Sequence, residues 1–298
     1  LQAASQAAGG QQYPAGALYV VATPIGNLAD ITLRALHVLQ RADAVGCEDT
    51  RHTAALLRHY GIEKPLVAVH QHNEREAAQA IVARLAAGER VAYVSDAGTP
   101  AVSDPGARLV AAVRDAGHAV VPIPGVSSAT AALSVAGDVA EGGFRFVGFL
   151  PPKARELGEA VQALATRDEA QVLFEAPHRI EALAQALARV CPKRRLTVAR
   201  ELTKQFEDIA DLVCEAFPAW LEQDAHRRKG EFVLVLHGQL AEAGPDALAR
   251  AEPALKALVE ALPLKQPVSP GAQLTGAPRN ALYERALELK QEGEAPRD

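Results

Sequence analysis

Residues 91–106 constrain the fold more than any other stretch of this sequence, because they encode a strand, a tight turn and a helix start without interruption. The apolar run V-A-Y-V predicts a buried strand, and the small residues S-D-A-G-T predict a turn at 95–99. Asp104 followed by Pro105 predicts the cap and first residue of a helix that begins at once. In an open α/β sheet, ligands bind just beyond the carboxyl ends of the strands. The stretch therefore predicts a ligand site at which a small molecule reaches bare backbone.

Strands and helices are predicted to alternate along the first half of the chain. Apolar runs cover residues 18–22, 44–47, 66–69, 91–94 and 119–123, with helical patterns near 31–41, 50–60, 74–87, 106–116 and 128–136. This alternation is typical of a mostly parallel sheet with helices on both faces. A second series follows, with strands at 144–150, 171–174, 196–198 and 231–236 and helices near 155–166 and 178–190. Its fewer helices per strand favour a mixed sheet, and the fold class is predicted to be α/β.

The pattern divides the chain into four parts. Residues 1–17 are low in complexity, so we expect a disordered leader. The sequence D-V-A-E-G-G interrupts the alternation near residue 140, and it separates an N-terminal α/β domain at 18–140 from a second α/β domain at 141–238. Residues 239–298 are predicted to form a small helical region, with helices at 245–262 and 279–290.

Composition excludes several classes of protein. No run reaches the ~18–20 apolar residues that span a bilayer, so we expect a cytoplasmic protein with no membrane partner. The three cysteines are far apart and form no C-x-x-C, which argues against a disulfide framework and a structural zinc site. His70 and His72 alternate on a predicted strand and point to opposite faces, so no metal site is predicted. The net charge of −5 excludes a uniformly basic surface but allows a local basic stripe for RNA, as at 227–229.

Three common nucleotide and hydrolase motifs are missing from the sequence. No G-x-G-x-x-G follows the first strand, which argues against the common dinucleotide site. There is no G-x-x-x-x-G-K-[ST] loop of a P-loop nucleotidase and no G-x-S-x-G elbow of an α/β-hydrolase. The predicted ligand must therefore be held in another way.

Polar or small residues follow several strands of the predicted first sheet. The second strand runs into C-E-D-T-R-H-T, which places Glu48, Asp49 and Arg51 at its carboxyl end. The fifth strand ends in P-I-P-G-V-S-S-A-T, whose small residues at 127–130 let a ligand lie against a helix N-terminus. Each motif alone is equally explained by an ion pair, a cap or tight helix packing. Their conjunction at one sheet edge indicates a functional cleft between the two domains.

Seven motifs, taken in order, resemble one known family. They are L-Y-V-V-A-T-P-I-G-N-L-A-D-I-T, E-D-T-R-H-T, V-S-D-A-G-T-P-A-V-S-D-P-G, G-F-L-P-P-K, F-E-A-P-H-R, A-R-E-L-T-K and K-G-E-F-V-L. The family is that of the small-subunit ribosomal RNA cytidine 2′-O-methyltransferases, within the tetrapyrrole methylase superfamily. The similarity is dense from about residue 18 to 238, and T-P-I-G-N together with S-D-A-G-T-P is specific to the family rather than the superfamily.

The resemblance implies two α/β domains of the tetrapyrrole methylase type, with S-adenosylmethionine folded in the cleft between them. It further implies cofactor contacts from the first domain at Ile25, Asp96, Ala97, Thr99, Ser127, Ser128 and Ala129. From the second domain it implies contacts at Phe174, Leu202, Gly230, Glu231 and Phe232. The expected substrate is small-subunit (16S) ribosomal RNA, free or in the assembled small ribosomal subunit, and a homodimer is expected.

The implied reaction needs a group that accepts the proton of the attacking ribose 2′-hydroxyl, because a free hydroxyl is a weak nucleophile. The carboxylates at strand ends are Glu48, Asp49, Asp96 and Glu175, and the hypothesis is that Glu48, Asp49 or Glu175 orients the hydroxyl. Cations at strand ends would hold phosphate or stabilise developing oxyanion charge; they are Arg51, Arg179 and Lys204. A second hypothesis assigns RNA phosphate contacts to Arg227, Arg228 and Lys229.

Two alternatives remain open at this point. One is a small-molecule methylase of the same superfamily that acts on a tetrapyrrole, since it would share the cofactor pocket. The other is a non-catalytic module that binds RNA or a nucleotide. Pro267, Pro270 and Gly271 also depart from the family's pattern, because relatives look like an uninterrupted helix there.

Overall fold

The computed structural model of the chain describes residues 1–70, 72–140, 143–239, 255–256 and 282–288. The first sheet has five strands in the order β3-β2-β4-β1-β5, and all its pairings are parallel. The strands are β1 (Ala17–Val21), β2 (Ala44–Cys47), β3 (Leu66–Ala68), β4 (Val91–Val94) and β5 (Ala119–Ile123). This arrangement confirms the parallel sheet that the alternation predicts.

Helices cover both faces of the first sheet, because its strands are apolar on both sides. Leu18 packs in one layer with Ile81 and Leu109, whereas its neighbour Tyr19 packs in the other layer with Leu39. The helices are α1 (Gln2–Ala8), α2 (Leu33–Arg41), α3 (Thr50–His59), α4 (Glu74–Ala86), α5 (Ala107–Asp115) and α6 (Ser128–Ala136).

The first residues of the chain differ from the expected disordered leader. Ala4 and Ala8 of α1 lie four residues apart and are both buried. Tyr13 donates a hydrogen bond to the carbonyl of Ala8 at 3.0 Å, and its ring lies 5.0 Å from that of His37 on α2. Within this low-complexity sequence, Ala4 and Ala8 form a short apolar stripe on one face of α1. Burial of this stripe and the contact of Tyr13 with His37 order the segment against α2.

The start of α5 also differs from the prediction. The helix begins at Ala107 rather than at Pro105, and Gly106, with a φ of +127°, precedes it. The side chain of Glu74, the first residue of α4, accepts hydrogen bonds from the amides of Gly106 at 3.0 Å and Arg108 at 3.2 Å. The predicted cap at Asp104 is therefore wrong, because a carboxylate from the preceding helix satisfies the free amides of α5.

The second sheet has the order β6-β7-β10-β8-β9. Its strands are β6 (Phe144–Phe149), β7 (Ala170–Glu175), β8 (Arg195–Arg200), β9 (Asp208–Val213) and β10 (Phe232–Leu236). Strand β10 is antiparallel to both β7 and β8, and β9 is antiparallel to β8.

The two faces of the second sheet are covered by different helices. Helices α7 (Ala154–Ala165), α8 (Ile180–Val190) and α9 (Phe217–Glu222) pack on one face. The small residues Ala129, Ala132 and Ala136 of α6 pack on the other face, against Val172 and Val235. Helix α6 follows β5 in the chain, so it brings the carboxyl edge of the first sheet close to the second sheet.

The chain separates into two compact units. The first comprises Leu1–Asp138, Arg145–Ala165 and Gln171–His237, and it holds both sheets apart from Phe144 and Ala170. The second comprises Val139–Phe144, Thr166–Ala170 and Gly238–Asp298. Within the described residues, no helix combines the length and apolarity that a bilayer span requires.

Candidate active site

Three turns at the carboxyl edge of the first sheet are joined by hydrogen bonds. The amide of Thr23, after β1, donates to the carbonyl of Gly98 at 2.9 Å, and the amide of Gly98 donates back to Thr23 at 3.1 Å. The hydroxyl of Thr99 donates to the carbonyl of Val126, after β5, at 3.1 Å. The turn after β4 is therefore tied to the turns after both β1 and β5.

Gly98 has a φ of +78°, a conformation that other residues adopt only with strain. A Cβ atom at this position would also lie 3.2 Å from Cγ2 of Ile25. The glycine thus lets the turn after β4 approach the turn after β1 closely.

A cavity of about 340 Å³ lies beside these turns, a volume within the usual range of small-molecule sites. Turns at the carboxyl edge of the first sheet line it, together with strand residues of the second sheet. Nine of the twelve predicted cofactor contacts are among its lining residues: Ile25, Ala97, Thr99, Ser127, Ser128, Phe174, Leu202, Glu231 and Phe232. The structure therefore brings together side chains that are more than two hundred positions apart in the sequence.

The other three predicted cofactor contacts are not lining residues. Asp96 turns an oxygen towards the amide of Asp49, which donates to it at 3.2 Å. Ala129 is buried in the layer between α6 and the second sheet. Gly230 has a φ of +89°, and a Cβ there would meet Cγ of Glu201 at 2.5 Å.

Among the candidate catalytic carboxylates, Glu175 lines the cavity and Glu48 and Asp49 do not. Glu175 is only 2% exposed, and its Oε1 accepts hydrogen bonds from the amide of Ala176 at 2.8 Å and pairs with Nε of Arg179 at 3.1 Å. Its buried Oε2 has no hydrogen-bond partner among the described residues. Burial raises the pKa of Glu175, while the Ala176 amide and the Arg179 charge oppose that shift.

Asp49 has a structural role at the start of α3. Its carboxylate accepts hydrogen bonds from the amides of Arg51 and His52 and pairs with the Arg51 side chain at 3.0 Å. The hydrogen bonds from Arg51 lower the pKa of Asp49 to about 2. Arg51 itself is exposed.

The predicted cations of the second domain occupy different surroundings. Lys204 lines the cavity, where it donates to Glu201 at 2.8 Å and Glu231 at 2.6 Å. Burial lowers the pKa of Lys204, but these two carboxylates outweigh it and the net pKa is raised. Arg179 pairs with Glu175 and donates to the carbonyl of Leu150.

The basic residues at 227–229 are less available for contact with RNA phosphates than the sequence indicates. Arg227 stacks on the ring of Trp220, with its guanidinium carbon 4.4 Å from the ring centroid. Arg228 pairs with Glu181 at 3.0 Å. Lys229 is exposed, and its described contacts are made by its backbone, whose carbonyl accepts from Arg200.

Several cavity residues were not singled out as sites by the sequence analysis. They are Gly98, Val102, Ser103, Asp104, Phe149, Ala176, Pro177 and Val233. Most of them lie inside the quoted motifs V-S-D-A-G-T-P-A-V-S-D-P-G and F-E-A-P-H-R, so the signal was present there. The sequence predicts a helix cap at Asp104, whereas the structure places this residue on the cavity wall.

Asp104 belongs to a group of carboxylates at the ends of β2 and β4. Burial, followed by the nearby charges of Glu48 and Asp96, raises the pKa of Asp104 to about 6. Burial and Asp96 also raise the pKa of Glu48. A carboxylate with a pKa near neutrality is suited to accept a proton, since acid–base catalysts work best when their pKa lies near the working pH.

Comparisons with known proteins identify the family. A family model described as "Tetrapyrrole (Corrin/Porphyrin) Methylases" matches residues 17–216, and one described as "RsmI C-terminal HTH domain" matches residues 245–290. The ribosomal RNA small subunit methyltransferase I of Neisseria meningitidis serogroup B is 49% identical over 275 residues, which cover 92% of this chain and 94% of that protein. The chain belongs to the ribosomal RNA small subunit methyltransferase I family. The protein of that name from Escherichia coli O157:H7 is 44% identical over 274 residues, covering 92% of this chain and 95% of its own.

The fold is shared with solved tetrapyrrole methylases. A uroporphyrin-III C-methyltransferase from Thermus thermophilus, solved with S-adenyl homocysteine, superimposes with a TM-score of 0.51 and 20% identity. The match covers 73% of this chain and 96% of that one. Together with the family membership, this confirms the two-sheet methylase fold that the motifs imply.

The C-terminal match of the methyltransferase I family falls on the predicted helical region. The structure describes helical residues at 255–256 and 282–288, inside the helices predicted at 245–262 and 279–290. Pro267, Pro270 and Gly271, and the rest of these predicted helices, lie outside the described residues.

Proposed function

We propose that this chain methylates the ribose 2′-oxygen of a cytidine in small-subunit ribosomal RNA, with S-adenosylmethionine as methyl donor. The observation that carries the proposal is that the turns specific to this family, at Ile25 and at Ala97–Thr99, line the cavity. Relatives named for methylation of small-subunit ribosomal RNA match almost the whole chain, including its C-terminal region. This coverage favours an RNA substrate over a tetrapyrrole.

The cavity has the chemistry that the cofactor needs. Phe174 and Leu202 offer apolar surface, while Ser127 and Ser128 place the amino end of α6 at the cavity wall. The free amides of a helix start favour a negatively charged or polar group. S-adenosylmethionine would supply an electrophilic methyl group on a sulfonium. Its apolar parts would contact Phe174 and Leu202, and its polar groups would face the start of α6.

Glu175 is proposed to orient the attacking hydroxyl. It is the one among the three candidate carboxylates that lines the cavity, and its buried Oε2 has no described hydrogen-bond donor. A buried acceptor without a partner costs about 1–3 kcal/mol. A hydroxyl group of a bound ligand that donates to this oxygen would remove that cost, while Arg179 holds the carboxylate in place.

The RNA itself is proposed to contact exposed cations of the first and second α/β domains. Arg51 and Lys229 are both exposed, and Arg228 keeps part of its surface accessible beside Glu181. Charge attraction to phosphates supplies most of the sequence-independent affinity for RNA. We further propose that the enzyme works in the cytoplasm as a homodimer, on free ribosomal RNA or on the assembled small subunit.

The test is transfer of a labelled methyl group to three acceptors: small ribosomal subunits that lack the modification, naked small-subunit RNA, and a porphyrinoid. Label in either RNA substrate is the expected result. Label in the porphyrinoid alone would assign the chain to small-molecule methylation. If no acceptor takes label while RNA is bound, the non-catalytic reading is correct.

A further inference from the structure

We propose that Asp104 accepts the proton of the attacking hydroxyl, an assignment that rests on the proposed function and adds a catalytic residue to it. Asp104 lines the cavity on the side of the first sheet, together with Val102 and Ser103. Glu175 lines the same cavity from the second sheet. A hydroxyl group in the cavity would therefore meet an orienting carboxylate from one sheet and a base from the other.

The loop that carries Asp104 is held in an unfavourable backbone conformation. Ala101 and Ser103 have φ values of +64° and +72°, which residues with a side chain rarely adopt. Such conformations cost about 1–3 kcal/mol each and persist only where surrounding contacts enforce them. The three successive residues at 102–104 all line the cavity.

Two buried side chains fix this loop from beneath. The Tyr93 hydroxyl donates to the carbonyl of Pro105 at 2.7 Å, and Tyr93 is itself fully buried in β4. Glu74, which is 8% exposed, accepts from the amide of Gly106 at 3.0 Å. Tyr93 and Glu74 thus act as positioning residues, because they hold the carbonyl and the amide of the peptide group that joins Pro105 to Gly106, directly after Asp104.

The charges around Asp104 make it a stronger base than an ordinary aspartate. Burial makes the largest contribution to the raised pKa of Asp104. The negative charges of Glu48, after β2, and Asp96, after β4, raise it further because they disfavour ionisation. Glu74 on α4 is a third carboxylate near the same loop. The negative charges of Glu74 and Asp104 both contribute to raising the pKa of Tyr93.

Asp49 and Glu175, two other candidate carboxylates, are each paired with an arginine. Asp49 is committed to Arg51, whose hydrogen bonds keep the pKa of Asp49 at about 2. Burial raises the pKa of Glu175 as well, but the Arg179 charge opposes that shift, and Oε1 of Glu175 is already bonded to Arg179 and to the Ala176 amide, which suits it to orient a hydroxyl. Asp104 has only carboxylates among the charges that shift its pKa, and these favour uptake of a proton.

The proposed step balances as follows. The ribose 2′-oxygen forms a bond to the methyl carbon, and the carbon–sulfur bond breaks with its electron pair left on sulfur. The hydroxyl proton passes to a carboxylate oxygen of Asp104. The neutral thioether and the protonated Asp104 then replace the sulfonium and the carboxylate, and solvent takes the proton before the next turnover.

The decisive variant is Asp104→Asn, which keeps the shape of the side chain and removes the base. Single-turnover methylation of hypomodified small subunits should fall at least about a hundredfold, as expected for loss of a general base. The dissociation constant for S-adenosylhomocysteine should not rise, and the melting temperature should not fall. Asp115→Asn, at the exposed end of α5, is the matched control and should retain the wild-type rate.

A pH profile separates a base from a merely structural residue. The wild-type single-turnover rate should rise with pH through a limb near 6, where Asp104 ionises. Glu48→Gln removes a neighbouring negative charge, so it should move this limb to lower pH. An unchanged Asp104→Asn rate, or a limb that Glu48→Gln leaves in place, would overturn the assignment. If the wild-type chain methylates no RNA at all, the proposed function fails instead.

Discussion

Asp49 and Asp104 lie at the same edge of the first sheet, but their pKa values move in opposite directions. Hydrogen bonds from Arg51 lower the pKa of Asp49 to about 2. Burial and two neighbouring carboxylates raise the pKa of Asp104 to about 6. The sequence places both residues at strand ends. It does not show which neighbour each carboxylate meets, because Glu48, Asp96 and Asp104 come together only when β2 and β4 pair.

Asp104 should lower the stability of the folded protein at neutral pH. Its pKa is raised on folding, so folding is favoured while it stays protonated and this advantage is lost as pH rises through about 6. Asp104→Asn should therefore raise the free energy of unfolding at pH 7 by about 1–2 kcal/mol, after allowance for solvent screening.

Urea unfolding of both proteins at pH 4 and pH 7 measures this effect. The difference between wild type and Asp104→Asn should be present at pH 7 and shrink towards zero below pH 4, where Asp104 of the wild type is protonated in both the folded and the unfolded state. A variant that is less stable at pH 7 would show that the carboxylate holds the loop together.

Two neighbouring cations should have different tasks. Arg227 is stacked on Trp220, a contact worth about 0.5–1 kcal/mol, so Arg227→Gln should mainly lower the melting temperature. Lys229→Gln should weaken RNA binding and reduce the slope of log affinity against log salt by about 0.7–0.9 if Lys229 contacts one phosphate. Binding titrations at several salt concentrations check both. Equal slopes for wild type and Lys229→Gln would remove Lys229 from the RNA surface.

At the scale of elements, local patterns predict where strands and helices lie but not how one element supports the next. The helices predicted at 50–60, 74–87 and 128–136 are found within a residue or so of those positions. The cap of α5 could not be predicted, because its acceptor is Glu74, more than thirty residues earlier. The sequence does not predict strand β9, since D-I-A-D-L-V is interrupted by charge and only half-buried at the sheet edge.

Gly106 is the element-scale test of the loop that carries Asp104. A Cβ at this position would overlap the ring of buried Tyr93, and the φ of +127° adds backbone strain. Gly106→Ala should lower the free energy of unfolding by about 2–4 kcal/mol and reduce methyl transfer with it.

Gly117 provides the matched control, because its φ is +81° and a Cβ there would meet open space. Gly117→Ala should cost only the backbone strain, about 1–2 kcal/mol, with methyl transfer retained. Equal losses of stability and activity in the two variants would show that the Tyr93 contact does not position the loop.

At the scale of the whole molecule, the resemblance gave more of the site than the residues alone could. Strand ends indicate the correct edge of the first sheet, and the family motifs add Phe174, Leu202 and Phe232 from the second sheet. Neither source could place Gly230 or Asp96 relative to the cavity wall, because a change of one residue in a turn redirects a side chain. Nor could they show that Arg227 and Arg228 already have partners within the fold.

The central claim is methyl transfer to a ribose oxygen of small-subunit ribosomal RNA, and nucleoside mass spectrometry tests it most directly. The purified chain, S-adenosylmethionine and hypomodified small subunits are incubated, and the RNA is digested to nucleosides. The account predicts 2′-O-methylcytidine, approaching one per subunit, with little formed by Asp104→Asn. A methyl group on a base, or RNA that stays unmodified while a porphyrinoid is methylated, would contradict it.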